Sequence, residues 1–134
     1  MPADTQPLSP SSAMLWAGGI VTGLVVLFLT FDGVTKVLKV APVVEASGKL
    51  GVAPSTLLGI GVVLLTCTAI YAFPRTAVLG AILLTAYLGG AVAIHFRAGS
   101  GAFPVAFSIA FGALVWVGLV LREPRLLWTI LLRH

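Results

Sequence analysis

The chain has 134 residues, about one domain's worth. Of these, 59% are hydrophobic and only 9% charged, and the mean hydropathy is +1.12. A water-soluble body of this size cannot hide so much apolar surface, which excludes a soluble enzyme and a disordered tail. The net charge of +4 is spread singly between apolar runs rather than gathered in a solvated basic patch, which excludes a nucleic-acid-binding domain and suits anchoring at lipid headgroups.

Residues 1–12 form a polar tail with three prolines and no Lys or Arg. It lacks the positive start of a secretory signal, so the first apolar run is expected to stay in the mature protein. Four apolar spans follow, at about 13–31, 55–73, 76–96 and 103–121. Each is long enough to cross a ~30 Å hydrocarbon core as a helix, and none alternates as a barrel strand does. The predicted fold class is all-α, an integral membrane bundle of four helices over 13–134.

Ser11 and Ser12 are placed as caps for the first span, which continues helically through Val34, Val37 and Leu38 until Pro42 is expected to stop it. Asp32 and Lys36 are four apart on this extension and can pair. The connection APVVEASGKLGVAP is read as a long loop lying back on the bundle. The turn at Pro74–Arg75 is tight, making the second and third spans antiparallel neighbours. After the fourth span, REPRLLWTILLRH reads as a short interfacial helix with Trp128 at headgroup depth.

Small residues allow close helix approach in lipid. The third span carries Ala77, Ala81, Thr85, Gly89 and Ala93 at fourfold spacing, which predicts it as the centre of the bundle. Gly19 and Gly23 form a GxxxG on the first, and Ser108 and Gly112 lie on the fourth. Packing within the chain is the expected use, and a homo-oligomer contact the alternative.

Four crossings put both chain ends on one face of the membrane, here the terminal face. The long connection and Arg97 share the other, the loop face. Arg75, Arg122, Arg125 and Arg133 oppose Lys36, Lys39, Lys49 and Arg97, an even count that does not fix orientation by the positive-inside rule. A multi-pass cell-membrane protein with both termini cytoplasmic is the expectation. Trp16, Trp116 and Trp128 mark the terminal face.

The loop face instead gathers Asp32, Lys36, His95 and Arg97. Ionisable residues at membrane depth are functional candidates by default, while those at span ends can escape to the interface. Asp32–Lys36 reads either as a local anchoring pair or as part of a ligand or proton site. His95 reads as an interfacial imidazole, a proton carrier or a hydrogen-bond donor to a quinone carbonyl. Arg97 reads as a snorkelling anchor or a site for an anionic headgroup. Tyr71 and Tyr87 are expected to pack or to sit at the membrane interface, and Thr66, Thr68 and Thr85 to bond carbonyls four residues back. No metal-ligand spacing is present, and Cys67, the single cysteine, cannot form an internal redox pair. No intrinsic cofactor is expected.

The segments FDGVTKVLK, EASGKLGV, YAFPRT and LGAILLTAYLGGAVAIHFRAG resemble the DoxX-like membrane proteins over roughly residues 14–125, most specifically at Gly89–Arg97. The resemblance implies a small four-helix bundle associated with membrane redox systems, the family name deriving from subunits of a thiosulfate:quinone oxidoreductase. Asp32 and Lys36 stand where redox-linked members lead with arginine. The function expected is an accessory subunit of a membrane redox enzyme that binds quinone or lipid. The alternatives are a quinone-coupled oxidoreductase using Asp32 and His95 for protons, and a small transporter.

Overall fold

The structure, a computed structural model, describes residues 11–126 and 129. The interfacial helix expected after Arg122 falls largely outside these residues, as do Trp128, Arg133, His134 and the tail before Ser11.

Helix α1 spans Ser12–Val37, and the Ser11 side chain caps it by accepting the Met14 N–H at 3.2 Å. Its 26 residues give ~39 Å of helix, longer than the hydrocarbon core, so the turns carrying Asp32 and Lys36 reach the loop face. The chain breaks at Lys39, which takes a left-handed φ of 52°. The connection expected to be a loop then forms a second helix, α2, Ala41–Lys49. Pro42 stops α1 less than it starts α2: in the first turn its missing N–H costs nothing, because that group has no intrahelical acceptor.

Helix α3 spans Pro54–Ala72, again opened by a proline, and a 3-10 turn at Pro74–Thr76 leads into α4, Ala77–Ala98. Gly99 closes α4 in the left-handed region at φ 64°, with Ser100 N–H bonding the His95 carbonyl and Gly99 N–H that of Phe96. Helix α5, Ala102–Arg122, completes the bundle. The four long helices are apolar enough to cross a membrane, as the spans predict.

These four form a ring. α1 packs against α3 and α5, and α4 against the same two, so no helix is central. This corrects the expectation for α4: Ala77 and Ala81 are buried, whereas Thr85, Gly89 and Ala93 face outward. The GxxxG of α1 is likewise not used within the chain, because a Cβ on Gly19 or Gly23 would meet nothing within 4 Å. The tight seam lies elsewhere. A Cβ on Gly61 would stand 2.9 Å from the Gly33 carbonyl oxygen, so α3 and α1 touch almost backbone to backbone at the residue after Asp32. Val25, Leu29, Leu64, Tyr71, Leu84 and Val115 fill the core, while Leu24, Leu27, Phe31 and Phe103 point outward into the region of lipid.

Candidate functional site

At the loop-face half of the ring the helices part around a cavity of about 480 Å³, within the ~300–1,000 Å³ range of small-ligand sites. All four long helices line it, and Ser47 of α2 and Leu50 just after that helix cover it. α2 lies back on the bundle with Ser47 buried and the apolar Val43 and Val44 half-buried.

Asp32 and Lys36 stand on one wall. The Lys36 Nζ lies 2.6 Å from the Asp32 Oδ2, and the Thr35 hydroxyl donates to the Asp32 carbonyl at 2.8 Å. With side-chain exposures of 34% for Asp32 and 17% for Lys36, the pair is partly withdrawn from solvent. Such a pair compensates its own charge, and removing either partner strands the other. His95 reaches the same cavity from the last turns of α4, and its Nδ1 is buried with no hydrogen-bond partner among the described residues. A buried ring nitrogen without a partner is costly unless something supplies one.

The structure thus brings Asp32, Lys36 and His95 onto one cavity and leaves Arg97 outside it, exposed on the far side of the last turn. His95 and Leu50 also border a second, shallower groove of about 400 Å³ at the loop face, lined by Glu45, Lys49 and Ser100 among others. His95 therefore stands between the cavity and the surface.

Several lining residues escaped the sequence. Tyr87, expected to be a packing or interface residue, lines the cavity, as do Ser108 and the phenylalanines at 28, 107 and 111. The available signal is the spacing Tyr87, Ala91, His95, two steps of four along α4, which places all three on one face. The threonines behave as expected: Thr66, Thr68 and Thr85 donate to the carbonyls of Val62, Leu64 and Ala81 at 2.7–2.8 Å. Trp116, on the terminal-face half of α5, donates its indole N–H to the Thr85 hydroxyl at 2.7 Å and ties α5 to α4.

A second polar node closes the bundle near the terminal face. The buried Tyr71 hydroxyl donates to the Val115 carbonyl at 2.7 Å, the Arg122 guanidinium lies 5.8 Å from the Tyr71 ring centre, and Thr22 is buried against Gly118. This node lines no part of the cavity, so it acts as a latch joining α3, α5 and α1. Among the described residues no three His, Cys, Asp or Glu side chains come together.

A ring of apolar helices, a helical cover and a cavity with a few polar groups have the form that small-ligand sites take. No curated protein and no solved structure matches the chain. The DoxX-like family's sequence model matches residues 20–118, reaching into all four membrane helices, and the chain belongs to that family.

Proposed function

We propose that this DoxX-like membrane protein is an accessory subunit of a membrane redox system that holds a small amphipathic molecule, a quinone or a lipid, in the cavity beneath α2. One observation carries this reading: the cavity is walled by Phe28, Leu29, Leu57, Ile60 and Phe111, while Asp32, Lys36, Ser47 and His95 gather at its loop-face end. Apolar walls with a few convergent polar groups are what bind and orient an amphiphile. The Lys36 ammonium has donors beyond the one that Asp32 uses, and the His95 Nδ1 lacks a partner, so a head with hydrogen-bonding oxygens completes both. A quinone bound there would supply electron-accepting chemistry; the residues present orient it and shield it from water.

Native mass spectrometry of the gently extracted protein tests this. A retained quinone or lipid mass is expected, and it is lost in Ala91→Phe, which fills the cavity from α4. A bare bundle that retains neither, and copurifies with no redox enzyme, overturns the proposal.

A second reading is a quinone-coupled oxidoreductase, with Asp32 and His95 handling protons. It is favoured by the position of His95 between the cavity and the groove carrying Glu45 and Lys49. Electrons would come from another chain. Asp32→Asn and His95→Ala should each abolish quinone reduction even at quinone concentrations that saturate the site; normal rates in both remove this reading.

A further inference from the structure

We infer that the ligand of the cavity enters sideways from the lipid between α1 and α5, that it carries one long apolar tail left lying in a groove outside that seam, and that its head bears no net charge. This rests on the ligand-binding reading above and narrows it to one chemical class.

The seams around the cavity differ. Between α1 and α3 the backbones meet at Gly33 and Gly61, leaving no room for a chain to pass. Beside the cavity α1 and α5 face each other through phenylalanine side chains, and their close glycine contacts, at Gly18 and Gly118, lie nearer the terminal face. Phe28 stands 4.7 Å from Phe111 and 5.7 Å from Phe107, ring centre to ring centre, and Phe107 and Phe111 are 5.4 Å apart. Three tilted rings held by dispersion contacts can rotate aside without breaking a backbone hydrogen bond, which a Gly–Gly contact cannot do.

Beyond this wall lies a second hollow of about 730 Å³, lined wholly by apolar side chains, among them Val21, Leu24, Leu27 and Leu114. Phe28 and Phe111 belong to both hollows, so the cavity and the groove are two sides of one aromatic partition. From Val21 to Phe31 the groove follows α1 for ten residue steps, ~15 Å, toward the middle of the bilayer. A ligand with its head against Asp32, Lys36 and His95 would therefore find a continuous apolar track for its tail once the rings turn.

Charge sets the head. The cavity's ammonium is already matched by a carboxylate at 2.6 Å, and Arg97 does not reach the cavity. A phosphate would have to displace Asp32 or be buried beside it, whereas an uncharged head with carbonyl or hydroxyl oxygens takes the spare donors of Lys36 at no such cost.

Two benzoquinones with the same head, one with a single isoprene unit and one with many, distinguish the outcomes when titrated against the protein in lipid nanodiscs. Leu24→Trp and Leu114→Trp fill the groove from opposite walls, and both side chains face outward, at 62% and 41% exposure, so the core is left intact. Wild type should bind both probes, and each substitution should weaken the long-tailed probe about tenfold while leaving the short one within about twofold. If both probes bind but the tryptophans affect neither, or affect both equally, the tail route is overturned and the ligand-binding reading survives. If an anionic phospholipid displaces both probes, the uncharged head is overturned. If wild type binds neither probe, the quinone form of the ligand-binding reading fails along with this inference.

Discussion

The Lys36 Nζ and the Asp32 Oδ2 stand 2.6 Å apart, one helical turn from each other, on the wall of the cavity that His95 reaches from the opposite side of the ring. On the ligand-binding reading, their neutrality as a pair would set selectivity, because the cavity then offers hydrogen bonds without net charge. Asp32→Asn removes the carboxylate and keeps the shape, leaving an uncompensated ammonium in the site. The variant should retain anionic phospholipid where wild type does not, and retain less neutral amphiphile, both read by native mass spectrometry. Asp32→Asn with Lys36→Met restores neutrality and should restore the preference for neutral ligands. An unchanged lipid profile in the single variant would show that the pair does not set selectivity.

Gly61 fixes the α1–α3 seam, and with it the position of Asp32. A methyl group there would lie 2.8 Å from the Val37 Cγ2 and 2.9 Å from the Gly33 carbonyl. Gly61→Ala should therefore cost ~1–3 kcal/mol by overpacking. Gly59→Ala lies two residues earlier on the same helix with nothing within 4 Å, so it should be neutral or stabilise by up to ~1 kcal/mol through helix propensity. Thermal unfolding in one detergent compares the two directly; equal midpoints would mean the helices do not meet at Gly61.

The latch near the terminal face is tested by its hydroxyl. Tyr71→Phe removes the bond to the Val115 carbonyl, which keeps its partner within α5, so the expected loss is that of one hydrogen bond, ~0.5–1.5 kcal/mol. Thr66→Val removes a hydroxyl that bonds only within its own helix on an exposed face, and should change stability by less than ~0.5 kcal/mol. Neither substitution touches the cavity, so ligand retention should be unchanged in both.

Much of the fold is legible in the sequence because its signals are long or local. Four uncharged runs near twenty residues leave little choice but helices in lipid, and Asp32–Lys36 is fixed by fourfold spacing alone. Helix facing is different. In lipid the outward side is as apolar as the core, so Leu24 and Val25 look alike in sequence although one is 62% and the other 1% exposed. That is why the small residues of α4 suggest a central helix that the ring does not have, and why Tyr87 reads as a packing or interface residue. The helix α2 is hidden for another reason: Pro42 looks like a stop, and only the start of a new helix reveals its second use. That Asp32 and His95 share a cavity depends on parity of crossing, but Phe28, Phe107 and Phe111 come together only through ring order, which no local pattern encodes.

The same parity gives the last prediction. With four antiparallel crossings, Lys49 at the end of α2 and Ser100 after α4 lie at one face, and Arg75 in the α3–α4 turn at the other; all three are exposed. Cys67 is buried in the core, so the native thiol should resist a membrane-impermeant maleimide and serve as its own blank. In sealed vesicles of one orientation, Lys49→Cys and Ser100→Cys should label together, and Arg75→Cys only after the membrane is opened, or the reverse if the vesicles are inverted. Whichever face labels first assigns the orientation that the even basic count leaves undecided. Labelling of Lys49→Cys and Ser100→Cys from opposite faces would break the ring and separate His95 from Asp32.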